Sequence, residues 1–112
     1  MEIQVESLKR CELVKVSGQI DSATAPEFQD RLLELIDGGA KNLVVSLGEV
    51  SFMSSAGLTA LLRARIRLRK RIPPGDIVIA GLSPKLKETF ELVGMNHIFQ
   101  FYDTELEAVG TC

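Results

Sequence analysis

In the segment VSFMSSAGLTALL, Val50 to Leu62, two hydroxyls stand side by side at Ser54 and Ser55, between a strand-like run and a helix-like pattern. A serine placed there can do either of two things. It can cap the helix, its oxygen accepting a hydrogen bond from a backbone N–H that the first turn leaves free. It can also carry a phosphoryl group, whose charge of about −1.5 to −2 is favoured by those N–H groups and by the positive end of the helix dipole. One cap needs only one serine. The small Ala56–Gly57 pair that follows leaves room for another body to approach closely.

Other chemistry is less well supplied. His97 is the only histidine, and a Ser–His hydrolase would need it beside Ser55 with a carboxylate behind it. The G-x-S-x-G elbow of many such enzymes is missing. GLSPKLKETF is no phosphate-cradling glycine loop, so a nucleotide-hydrolysing site is unsupported. The two cysteines, Cys11 and Cys112, form no CxxC, and Cys112 is the last residue of the sequence, so they make a poor disulfide framework. With one histidine there is no zinc-like cluster, and no metal or cofactor is expected.

The elements that must position the serines can be read from periodicity. EIQVESLK and ELVKVSGQI alternate apolar and polar residues, as two half-buried strands joined at Lys9–Arg10 would. In DSATAPEFQDRLLELIDGG, Thr24 and Glu27 have capping-box spacing, Pro26 suits a first turn, and Phe28, Leu32, Leu35 and Ile36 share a face before Gly38–Gly39. NLVVSLGEV reads as a strand covered on both sides. A second helix follows the serines, with Leu58, Leu61, Leu62 and Leu68 inward, and stops at Pro73–Pro74–Gly75. DIVIAGL is a short buried strand. SPKLKETFELVG is a helix capped by Ser83, with Leu86, Phe90 and Val93 on one stripe and Gly94 as its stop. HIFQFY gives a last strand that would begin at His97, and DTELEAVG a short closing helix with Thr104 and Glu107 at capping-box spacing.

The order β-β-α-β-α-β-α-β-α describes one α/β domain over residues 1–112, with a mixed, mainly parallel sheet of four to five strands. In such sheets sites lie at the carboxyl edge of the strands. Three loops should meet there, 18–24, 51–57 and 81–84, bringing Ser54 and Ser55 near Asp21, Ser22 and Ser83. Asp21, between a strand and a helix, is either a turn residue or a partner contact.

A net charge of −2 argues against nucleic acid as a partner. No secretory h-region opens the sequence and no apolar run approaches a membrane span, so a cytoplasmic protein is expected, with no membrane contact. The run RARIRLRKR, Arg63 to Arg71, steps about 200° per alternate residue around a helix and so spreads over its surface. It would complement the helix dipole on a solvated face, with the Arg65 stem packed among leucines, or steer an acidic partner.

GQID (Gly18–Asp21), TAPEF (Thr24–Phe28), VVSLGEVSFMSSAGLTALL (Val44–Leu62) and GLSPKLKETFELVGM (Gly81–Met95), in this order, resemble the STAS domains of the anti-sigma factor antagonist family, the SpoIIAA and RsbV type. The resemblance implies a partner-switching protein without catalysis of its own. Its unphosphorylated form would bind an anti-sigma factor serine kinase and release the sigma factor. Phosphorylation would separate the pair, and a metal-dependent serine phosphatase would reset it. A monomer fits that scheme. Ser55 matches the family's phosphoacceptor position. Asp21, which the resemblance supports as a partner contact, and Ser22, Thr24, Ser54, Ala56, Gly57 and Ser83, which the meeting of the loops would bring beside it, are the expected partner-binding residues. Many members carry Asp before the acceptor where this chain has Ser54, which makes Ser54 a minor candidate acceptor. The alternative within the family is a STAS scaffold or transporter accessory whose Ser55 is never modified.

Overall fold

A computed structural model describes all residues, 1–112. The alternating segments form β1 (Glu2–Ser7) and β2 (Glu12–Ile20), an antiparallel hairpin closed by the Leu8 N–H donating to the Cys11 carbonyl at 2.9 Å. The β-branched run forms β3 (Leu43–Met53), parallel to β2, and β4 (Ile77–Ala80) and β5 (Gln100–Tyr102) continue in parallel. The strands lie in chain order, β1-β2-β3-β4-β5. The helices are α1 (Ala25–Asp37), α2 (Ser55–Lys70), α3 (Pro84–Leu92) and α4 (Glu105–Val109). The β-β-α-β-α-β-α-β-α order and the mainly parallel sheet are those expected from the sequence.

Strand alternation sorts the core into two layers. Val14, Val16, Val45, Leu47 and Ile79 point to one face, under Phe28 and Leu32 of α1, Leu58 and Leu61 of α2, and Leu86 and Phe90 of α3. Consecutive right-handed crossovers place all three helices on that side. The intervening residues Leu13, Val44 and Ala80 face the other way and are covered by Ala108 of α4. β3 is therefore buried on both faces through Leu47.

Three local expectations are corrected. Met95–His97 is a 3-10 turn following the left-handed Gly94 (φ 76°), so the last strand starts at Gln100 and the exposed His97 lies outside it. Val93 is 55% exposed, because α3 ends at Leu92 and releases it from the Leu86–Phe90 stripe. Thr24 makes no capping box with Glu27: its backbone is already helical (φ −100°, ψ −19°), whereas a capping residue is extended.

The arginine run is mostly structural. Arg65 pairs with Asp76 at 3.1 Å and lies 6.0 Å from the centre of the Phe99 ring. Arg67 pairs with Asp37 of α1 at 2.9 Å. Arg71 donates to the carbonyls of Ile36, near the end of α1, and of Lys41, in the loop after it, at 3.2 and 3.3 Å. These contacts bolt α2 to α1 and to the start of β4. No helix is long and apolar enough to cross a membrane.

Candidate functional site

The two serines do different work. Ser54 is the N-cap of α2. Its backbone is extended (φ −81°, ψ 171°), and its Oγ accepts from the Gly57 N–H at 3.4 Å. The Ser54 N–H donates to the Ile20 carbonyl at 2.8 Å, which fastens the serine loop to the end of β2. Ser55 is the first residue of the helix. It is exposed, and its hydroxyl has no partner within the protein. The N–H groups of Ser55 and Ala56 lie in the turn that has no intrahelical acceptors. No acidic residue occupies the first turn of α2, whereas α1 has Glu27 there and α4 has Glu105 and Glu107. The positive end of the α2 dipole is thus left without a carboxylate of its own helix.

Ser55 stands at the rim of a cleft of about 390 Å³ between α1 and α2. Ser22, Gln29 and Asp30 line the α1 side; Thr59 and Arg63 continue the α2 side, with Arg63 donating to Gln29 at 3.4 Å. One acid and one base leave the cleft near electrical balance.

Asp21 is the pivot of the neighbouring turn. Its carboxylate accepts from the N–H groups of Ala23 and Thr24 at 2.9 and 3.0 Å and from the Thr24 hydroxyl at 3.2 Å. The Thr24 hydroxyl in turn accepts from the Asp21 N–H at 2.9 Å. The hydrogen bond from the Thr24 N–H, with those from the Thr24 hydroxyl and the Ala23 N–H, holds the Asp21 carboxyl below its ordinary value of 3.8. This geometry makes Asp21 and Thr24 the frame of the loop that presents Ser22 to the cleft.

Two features differ from the sequence expectation. Gly57 is buried and offers no room to a visitor: a side chain there would meet Ile20 Cγ2 at 2.8 Å and Met53 Cγ at 2.9 Å. Its missing side chain lets the first turn of α2 press onto the ends of β2 and β3. Ser83 is not beside the serines. β4 ends early, and Gly81 meets β3 at Gly48, where a side chain on Gly81 would touch Gly48 Cα at 3.3 Å. β3, bulged twice against β2, then advances about 13 Å further, at ~3.3 Å per paired residue of β2, before reaching Met53 opposite Ile20. Ser83 caps α3 instead, accepting from the Leu86 N–H at 3.2 Å, and lines no part of the cleft. His97 lines none of it either, so a Ser–His pair is not formed. Arg63, Gln29 and Asp30 were not singled out for this site from the sequence. The i, i+4, i+8 row Ser55–Thr59–Arg63 on α2 is the signal that would have found Arg63.

A sequence model of the STAS domain family matches residues 2–108. The anti-sigma-B factor antagonist of Listeria monocytogenes is 35% identical over 95 residues, 85% of this chain and 82% of that protein. Among solved structures, an anti-sigma factor antagonist from Mycobacterium paratuberculosis superposes with a TM-score of 0.87 at 26% identity, covering 98% of this chain and 92% of the other. The phosphorylated form of SpoIIAA, a Bacillus cell fate determinant, shares the fold with a TM-score of 0.75 at 19% identity, over 98% of each chain. With a family match over almost its whole length and a relative of this similarity, the chain belongs to the STAS domain family, among the anti-sigma factor antagonists.

Proposed function

We propose that this antagonist is a phosphorylation-controlled partner switch whose acceptor is Ser55. In its unphosphorylated form the chain binds an anti-sigma factor serine kinase in the cytoplasm and releases the sigma factor. Phosphate on Ser55 ends that complex, and a metal-dependent serine phosphatase restores it. The observation that carries this reading is the division of labour between the serines. Ser54 satisfies the helix, so the Ser55 hydroxyl is exposed, unbonded and placed where a helix favours an anion. Ser54, already committed to Gly57, is the lesser acceptor.

The proposed contact face comprises Ser22, Ser54, Ser55 and Ala56, with Asp21 and Thr24 holding its shape. Gly57 contributes from beneath by close packing. A hundredfold loss of affinity takes about 2.8 kcal/mol, and a phosphate set against an acidic or desolvated partner surface costs several kcal/mol. One modification therefore suffices without any change of fold.

The test is phosphosite mapping by mass spectrometry on the protein from its native host, in growth and in stress. Occupancy of Ser55 that changes with condition is the expected result. A chain bare at both serines in every condition would replace the switch with a constitutive scaffold.

A further inference from the structure

Cys11 and Cys112, at opposite ends of the sequence, meet beneath α4. Cys11 lies at the start of β2, is 3% exposed, and belongs to the small apolar layer of Leu13, Val44, Ala80 and Ala108. Cys112 packs half-buried against the same layer. Its position is fixed by the backbone, its N–H donating to the Val109 carbonyl at 3.1 Å, just past the α4 turn. Both thiols are free, and Cys112 packs on the same five-residue apolar cluster to which Cys11 belongs. No other cysteine exists in the chain to compete for either.

We propose that these two thiols form an oxidant-driven disulfide that staples α4 to the sheet. The two cysteines have different parts. Cys112, partly open to solvent, is the thiol that a peroxide reaches first. Its sulfur attacks one peroxide oxygen; the S–O bond forms as the O–O bond breaks, the sulfur is oxidised, and the other oxygen leaves as water. Cys11 is then the resolving thiol. Its sulfur attacks the sulfenic sulfur of Cys112, the S–S bond forms, and the S–O bond breaks, with the Cys11 proton leaving in a second water. Two thiols and one peroxide give one disulfide and two waters.

Burial, and then the neighbouring Cys112, push the Cys11 thiol up to about 12, which keeps it from reacting with solvent oxidants and leaves Cys112 as the first thiol oxidised. In a reducing compartment such a bond is transient, forming under oxidant and undone by thiol exchange. It encloses nearly the whole chain, so its effect on the unfolded ensemble is close to the maximum for a molecule of this length.

The experiment treats the reduced, full-length protein with a modest excess of hydrogen peroxide. It then reads intact mass, maleimide labelling after denaturation, and thermal unfolding. The expected product is a monomer lighter by two hydrogens, with neither cysteine labelled. Its Tm should be higher by on the order of 10 °C, and dithiothreitol should reverse the gain. Cys112→Ser should fold with the parent's reduced Tm and show no oxidant-induced rise. Oxygen added to Cys112 while Cys11 still takes the label would overturn the proposal. So would disulfide-linked dimers, or a Tm rise that persists in Cys112→Ser. Cys11→Ala, read by the same mass and labelling measurements, should stop at the oxygenated Cys112, and a mass loss of two hydrogens there would equally refute the pairing.

Discussion

Replacing each serine in turn separates the structural hydroxyl from the chemical one. Ser54→Ala removes the oxygen that accepts from the Gly57 N–H. Loss of an N-cap costs about 0.5–2 kcal/mol, and the 3.4 Å separation is long for a hydrogen bond, which places this cap toward the lower end, ~0.5–1 kcal/mol. For a chain of this size that corresponds to a fall in Tm of roughly 2–6 °C. Ser55→Ala removes an exposed hydroxyl with no partner at the first helical position, so its cost should stay within about ±0.5 kcal/mol. Thermal unfolding of the two variants beside the parent reads the difference directly. A radiolabelled-phosphate assay with the kinase partner then inverts the order. Ser55→Ala should take up no phosphate, whereas Ser54→Ala should still be modified at Ser55. Should Ser55→Ala prove the more destabilising, or Ser54→Ala lose all label, the assignment of cap and acceptor would be wrong.

Three further outcomes follow from the same geometry. Gly57→Ala forces a methyl group against Ile20 and Met53, an overpacking cost of about 1–3 kcal/mol that the better helix propensity of alanine, up to ~1 kcal/mol, only partly offsets; chemical denaturation should show net destabilisation, and a more stable variant would contradict the packing described. Ser55→Asp places one negative charge at the helix end, so the fold should hold while calorimetry with the kinase finds weaker binding; affinity equal to the parent's would argue against exclusion by charge. The carboxyl of Asp21 is held below 3.8, so the stabilisation it gives is complete above that value and disappears as pH falls through the lower folded value; the stability gap between the parent and Asp21→Asn should be open at neutral pH and close in acid, and a gap independent of pH would refute the role of the charge.

What the sequence disclosed and what it hid have separate physical causes. Elements were legible because their signals are local: the alternation in β1 and β2, the two-sided apolar run of β3, Ser83 and Thr104 as caps, Gly94 as a stop. The serine pair was legible as a candidate for the same reason. What stayed hidden depends on distances along strands and between remote residues. Equal strands would have brought the loop after β4 level with the serines, but β4 spans 4 residues against 11 in β3, so Ser83 stops short. Gly57 was read as open space because a missing side chain does not say which neighbour fills its place. The pairing of Arg65 with Asp76 and the meeting of Cys11 with Cys112 join residues that no local pattern connects.

The unequal strands also bear on how a switch of this kind can work. Past Ser46, β3 has lost its β4 neighbour and is paired only with β2, as far as Ile20 against Met53. The serines therefore ride on a strand end that, with only β2 beside it, stands beyond β4 and β5, tied down by the Ser54 N–H to the Ile20 carbonyl and by the packing of Gly57. Ser55 touches no part of the core. A phosphate added there meets free N–H groups on its own helix, and a docked partner would meet the phosphate. On the proposed assignment the charge would fall on the interface and leave the fold intact, and the overrun of β3 is what would separate the two.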